Sequence, residues 1–225
     1  MAPRPPPLPA LGGVWTEPLG EKASIGTVVV PLGATEPRPV VVAFHGSADR
    51  AEYSCGEWLH VTHAYPFIVC PRGTPVAAAL FSWGSVDAAR LQAEKALEMV
   101  RAKWPTYVSQ AAPVYVGFSQ GAEMVVFMTA AGKVAFSGVF VHEGGYRQAG
   151  ASLAALAKGE RPLVVSCSTY GCKGSLPRPG PHSKGIDFGP HGHGFYKVAW
   201  DGMRLAWTDF AVGMPGWEGF IPKGL

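Results

Sequence analysis

Short apolar runs rich in β-branched residues recur along this chain, at residues 25–30, 40–44, 66–70, 114–116, 138–141, 163–166 and 184–188. Most are continuous rather than alternating, as strands covered on both faces require. Between them lie stretches with helical periodicity, at residues 86–103, 122–131, 150–158 and 198–212. The clearest places Ala89, Ala93, Ala96, Leu97 and Val100 on one face, with Arg90, Glu94, Lys95 and Glu98 largely outside. This alternation predicts an α/β fold, a mostly parallel central sheet with helices on both faces. No repeat or linker divides the 225 residues. One domain is therefore expected over residues 15–225, behind a Pro-rich tail at residues 1–14. The segment Met1 to Ala10 has no apolar core of the signal-peptide kind, and prolines at this density favour an extended tail or linker.

Composition narrows the function classes. Hydrophobic residues make up 48% of the chain and charged residues 16%, which favours a well-buried core over disorder. A formal charge of +3, scattered along the chain, gives no nucleic-acid footprint. No apolar run is long enough to span a membrane. Asparagine is absent, so neither N-glycosylation sequons nor catalytic asparagines exist.

Chemistry concentrates in Gly117-Phe118-Ser119-Gln120-Gly121, a G-x-S-x-G pattern. The apolar run Val114-Tyr115-Val116 precedes it and the helix-like run from Ala122 to Met128 follows. A serine between strand and helix is held in a strained, exposed turn, and flanking glycines avoid collisions with neighbouring backbone. The helix N-terminus behind it favours negative charge. The competing reading is a plain strand-to-helix turn with a capping serine.

Three ordered features together resemble the α/β-hydrolase superfamily, from about Ile25 to the C-terminal helix. They are the strand-like run Val40 to Phe44 ending in His45-Gly46-Ser47, the segment around Ser119, and Gly192-His193-Gly194-Phe195-Tyr196. Within it the chain is most similar to small esterases of the dienelactone-hydrolase and carboxylesterase kind, and Phe118-Ser119-Gln120-Gly121-Ala122 is also similar to cutinases. The resemblance implies Ser119 as nucleophile. It implies an oxyanion hole from the backbone N–H groups of Ser47 and Gln120, with the His45 side chain only holding its loop.

A base must follow the serine, and His182, His191 and His193 compete. His193, between glycines after a strand, is preferred. His182 is the alternative, because the segment from Cys172 to Pro181-His182 is similar to the cutinase stretch that carries the catalytic histidine. The acid breaks the usual pattern: residues 167–172, after the run at 163–166, contain no carboxylate. Glu143, at the end of the preceding strand, is the preferred acid, with Asp187 as rival and Asp201 or an acid-free dyad remaining. Aromatics expected at the pocket rim are Tyr53 and Trp58, Phe81 and Trp83, and Tyr146 and Tyr170. No cofactor or metal is expected, since His191 and His193 lack a ligand set of suitable spacing.

Cys167 and Cys172 flank a short turn that a bridge can clamp, and Cys55 and Cys70 can form a second. Two bridges imply an oxidising compartment, secreted or periplasmic; reduced thiols imply the cytoplasm. The expected activity is cleavage of carboxylic esters, small or polymer-derived, through an acyl-enzyme, by a monomer. Thioesterase or amidase activity, or a non-catalytic binding module of the same fold, are the alternatives.

Overall fold

A computed structural model describes residues 5–8, 15–211 and 213–220. The strands are β1 (Thr16–Leu19), β2 (Gly26–Val29), β3 (Val40–Phe44), β4 (Phe67–Pro71), β5 (Thr74–Ala77), β6 (Leu80–Ser82), β7 (Val114–Phe118), β8 (Gly138–His142), β9 (Leu163–Cys167) and β10 (Ser183–Asp187). The helices are α1 (Ala51–Thr62), α2 (Val86–Lys103), α3 (Gln120–Ala130), α4 (Gly150–Leu156), α5 (Tyr170–Lys173) and α6 (Lys197–Ala211). Each expected strand is present within one or two residues of its predicted bounds. The last residue expected in α6, Val212, lies outside the described residues, as does most of the Pro-rich segment. Of that segment Leu8 is described. It is buried, and its backbone pairs with Gly33 and Ala34.

An eight-stranded sheet runs β1-β2-β4-β3-β7-β8-β9-β10. From β4 to β10 every pairing is parallel, while β2 is antiparallel to β4 and β1 to β2. The parallel strands alternate their side chains between two cores. Val40, Val42 and Phe44 face α2, α3 and α4, whereas Val41 and Ala43 face α1 and α6. Both faces are thus apolar, which explains the continuous runs in the sequence. Trp58 of α1 and Trp207 of α6 fill the second core together with Phe140. Trp58 is fully buried, so it is a core residue and not the rim aromatic expected from sequence.

Sheet order fixes where a site can form. The chain passes from β3 to β4 on one side, then crosses back to β7 on the other. Connections leaving β3 and β7 therefore part in opposite directions and open a crevice beyond the C-terminal ends of these strands. His45-Gly46-Ser47 leaves β3 there and Ser119 leaves β7 there.

Both expected disulfides are formed. Cys55–Cys70 ties α1 to β4, with Cα atoms 5.9 Å apart. Cys167–Cys172 ties the end of β9 to α5, with Cα atoms 5.5 Å apart.

Two glycines test how tightly these elements meet. A Cβ on Gly121 would collide with the carbonyl oxygens of Phe44 and His45, whereas one on Gly56, inside α1, would meet nothing within 4 Å. Gly121→Ala is expected to lose at least about 1–3 kcal/mol through overpacking. Gly56→Ala is expected to gain about 0.5–1 kcal/mol from helix propensity. Urea unfolding midpoints of the two variants check the contrast; equal shifts would contradict this packing.

Candidate active site

Ser119 sits between β7 and α3 with φ 52° and ψ −119°. A non-glycine residue in that region is strained, and it holds only where the surroundings enforce it. They do so through contacts that leave no room for side chains. A Cβ at Gly117 would lie 2.7 Å from Ala122 N, and a Cβ at Gly144 would collide with the carbonyl oxygen of Ser119. The Ser119 N–H donates to His142 O at 3.0 Å. The hydroxyl is left at the N-terminus of α3, on the floor of a cleft of about 550 Å³.

The imidazole of His193 meets that hydroxyl. Its Nε2 lies 2.8 Å from Ser119 Oγ, and its Nδ1 lies 3.1 Å from Glu143 Oε2. Glu143 follows β8 in a left-handed conformation, φ 53°, and its side chain is fully buried. Burial raises the pKa of this carboxyl, but hydrogen bonds from Ser168, Thr169 and His193 outweigh burial and hold it below the ordinary glutamate value. Oε1 accepts from the N–H groups of Ser168 and of Thr169, the latter at 2.9 Å. Oε2 accepts from Thr169 Oγ1 at 2.8 Å. With both oxygens engaged, the carboxylate stays ionised and its remaining direction faces His193.

The residues after β9 supply these donors, so the turn that lacks a carboxylate holds one from the neighbouring strand. The Cys167–Cys172 bridge closes this turn. Its sulfurs and a Glu143 oxygen lie within 4.8 Å of one another, but the sulfurs are joined and the oxygens are spent on N–H and O–H donors. That set does not suit a metal ion.

His193 is steadied on both sides. The N–H groups of His191 and Gly192 donate to Ser168 O. On the other side, His142 Nε2 donates to Gly194 O at 2.9 Å, and its Nδ1 accepts from Ser166 Oγ at 2.8 Å. Phe118 packs between His142 and His193, with ring centroids at 5.9 and 5.2 Å. His142 was not singled out in the sequence. It reads as the last residue of a buried strand, and only the return of the Gly194 carbonyl gives it a partner.

Other expected residues fall elsewhere. His182 stands just before β10, pairing with Leu163 at the start of β9, on the edge of the sheet opposite Ser119. His191 is exposed. Asp187 is ion-paired with Lys173 and accepts from Gly189 N, and Asp201 pairs with Lys197 and Arg204 on α6. Of the rim aromatics, Tyr146 lines the cleft. Tyr53 and Tyr170 are exposed and lie outside its lining. Phe81 and Trp83 are buried. Trp83 rests on Phe44 and His45 and donates from Nε1 to His45 O at 2.8 Å.

Gln120 and the loop His45-Gly46-Ser47 are braced by the same elements. Gln120 exchanges two hydrogen bonds with the Trp83 backbone, at 3.0 and 3.1 Å, which fixes the first residue of α3. Its N–H, the first of the helix, has no intrahelical acceptor. His45 ring nitrogens lie 2.7 Å from the carbonyl oxygens of Gly46 and of Arg72. Gly46 lies so close to the turn of Ser119 that a Cβ on it would sit 3.5 Å from Ser119 Cβ. The Ser47 hydroxyl pairs with Ser82 Oγ at 3.0 Å.

No protein-family profile matches the chain, and no curated protein matches it in sequence. Solved structures do. An uncharacterized Bacillus cereus protein superimposes with TM-score 0.62 at 12% identity, over 80% of this chain and 61% of that one. A Thermus thermophilus protein gives 0.61 at 13% identity, over 87% and 97%. The fluorophosphonate-binding serine hydrolase F of Staphylococcus aureus gives 0.52 at 11% identity, over 80% and 89%. The chain has the α/β-hydrolase fold. The α/β-hydrolase sheet, mostly parallel with helices on both faces, is the architecture expected from its apolar runs.

The buried His142 makes a prediction about acid stability. Burial pushes its imidazole down from 6.5 to about 4, against the pull of the Gly194 carbonyl and of Glu143. Between these values the unfolded chain binds a proton there and the folded chain does not. His142 therefore makes stability fall as pH drops from 6.5 to 4, by ~3 kcal/mol in all. Glu57, which burial pushes up from 4.5 to about 8, acts in the opposite sense between those values. The His142 effect is thus a difference between wild type and His142→Phe, read from urea unfolding at pH 7 and pH 4. The variant is expected to lose less on acidification; an equal loss would mean that His142 titrates alike in both states.

Proposed function

We propose that the protein is a serine hydrolase that cleaves carboxylic esters through an acyl-enzyme. The observation that carries this reading is the unbroken chain of hydrogen bonds from Ser119 Oγ through His193 to Glu143. In this mechanism His193 takes the proton as Ser119 Oγ attacks the carbonyl carbon. Glu143 keeps Nδ1 protonated, so that Nε2 is free to act as base, and it stabilises the imidazolium as charge develops. The oxyanion points at the backbone N–H groups of Gln120 and Ser47. Each such donor contributes about 3 kcal/mol in comparable enzymes. His193 returns its proton to the leaving alkoxide, then activates the water that releases the acid. The solved neighbours with this fold include a serine hydrolase, which supports a hydrolase over a binding module.

Thioesterase and amidase chemistry need the same groups; of the three, the amide demands most of the site, because an amine must be protonated to leave. The protein is read as secreted or periplasmic, because its two disulfides persist in oxidising surroundings. It needs no cofactor for this chemistry, and its substrate is a small or polymer-derived ester met by a monomer.

Turnover of chromogenic acetate and butyrate esters tests the assignment. Ser119→Ala is expected to abolish turnover with unchanged stability, since a small turn side chain removes no core volume. Glu143→Gln is expected to lower kcat by about 10³- to 10⁴-fold with little change in KM. Asp187→Asn is expected to stay within about tenfold of wild type. Reversal of the last two results would move the acid role to Asp187.

A further inference from the structure

A second hollow adjoins the cleft of Ser119. It has a volume of about 570 Å³, and Tyr146 forms a wall of both. It runs between α4 and the segment Ser175-Leu176-Pro177-Arg178 that follows α5. Its floor is apolar, made by Leu153, Ala154, Ala157, Leu176 and Pro177. A hollow of this size is within the range of ligand pockets, about 300–1,000 Å³.

The charged residues lining the hollow itself are of one sign. Lys158 and Arg178 stand on the rim of the hollow, and Arg147 lines the cleft. Each is exposed, and none forms an ion pair among the described residues. Lys173 of α5, by contrast, is paired with Asp187. The carboxylates lining either space are Glu123 and Glu143. Both line the cleft of Ser119 and not the hollow: Glu123 accepts from the N–H groups of Arg147 and Ala149, and Glu143 from Ser168, Thr169 and His193. Lys158 lies two residues past the C-terminal end of α4, which spans Gly150–Leu156.

An apolar floor that is reached from the cleft of Ser119 past Tyr146, and that carries on its rim two cations without an ion pair among the described residues, fits one chemistry. We infer that the hollow is a subsite for a linear aliphatic acyl chain that carries a carboxylate at its far end. This rests on the ester-hydrolase reading and adds its substrate class: monoesters of long dicarboxylic acids, or oligoesters ending in an acid. The methylene chain lies over Leu153, Ala157 and Leu176, and the terminal carboxylate meets Lys158 and Arg178.

The test compares p-nitrophenyl acetate, p-nitrophenyl decanoate and the mono-p-nitrophenyl ester of decanedioic acid. Wild type is expected to prefer the decanedioate ester over the decanoate by at least about tenfold in kcat/KM at low salt, less at high salt. The double variant Lys158→Ala/Arg178→Ala is expected to lose that preference and keep wild-type turnover of acetate and decanoate. Ala154→Trp, placed on the exposed face of α4, is expected to lower kcat/KM for both ten-carbon esters at least about tenfold and to spare acetate. Equal rates for the two ten-carbon esters, or their indifference to Ala154→Trp, would overturn the inference. Failure to cleave any of the three esters would instead overturn the ester reading. Calorimetric titration with decanedioate and decanoate then decides the subsite without turnover: tighter binding of the dianion, lost in the double variant, supports it, and equal or absent binding overturns it.

Discussion

The turn between β7 and α3 leaves no space for a Cβ at the glycines around it. Gly117 faces the backbone of Gly121 and Ala122, Gly121 faces the carbonyls of Phe44 and His45, and Gly144 faces the carbonyl of Ser119. Three strand ends are thereby held at backbone contact: β3 with its His45-Gly46-Ser47 exit, β7 with Ser119, and β8 with Glu143. These are the segments to which the proposed mechanism assigns the oxyanion loop, the nucleophile and the acid. Their spacing is set by backbone against backbone, which yields little, rather than by long side chains that can swing. The strained φ of Ser119 and the left-handed φ of Glu143 are the cost of this closeness, and the sheet on either side keeps both in place.

A second layer of restraint acts through hydrogen bonds. Ser168 is its centre, donating to Glu143 from N–H and accepting from the His193 loop at its carbonyl. The Cys167–Cys172 bridge brackets it. Breaking that bridge would loosen the donors of Glu143 before it loosened the core, because the closed loop is short and lies past the end of β9, outside both apolar cores. Cys55–Cys70 differs, since it joins a helix to a central part of the sheet inside the second core.

Much of this was legible in the sequence, for physical reasons. Parallel strands buried on both faces must be apolar throughout, so their runs stood out. The tight turn at Ser119 needs glycines, so Gly117 and Gly121 marked it. That Glu143 stands beside His193 was readable because the turn after β9 offered no carboxylate. Other parts were hidden. The buried face of α1 uses Ser54 and Thr62 beside Ala51, Cys55, Trp58 and Val61, and Gly56 interrupts it, so neither polarity nor propensity announced a helix. β1 contains Pro18, which edge strands tolerate but which argues against a strand in sequence. The hairpin of β5 and β6 is short, and its first strand is exposed throughout. Phe81 and Trp83 follow β4 in sequence, as rim residues would, but sequence does not tell which way an aromatic turns. Trp83 turns inward, where its ring braces His45 and its backbone holds Gln120.

The account depends on Ser119 being a reactive nucleophile and not a capping serine. Its most direct measurement is the intact mass of wild type and Ser119→Ala after incubation with a fluorophosphonate. Attack on phosphorus with loss of fluoride requires an activated hydroxyl beside a base and an oxyanion site, and it requires no knowledge of the natural ester. The account predicts one phosphonyl adduct on wild type, mapped to the peptide that carries Ser119, and none on the variant. An unlabelled wild type, or an adduct that persists in Ser119→Ala, would contradict it.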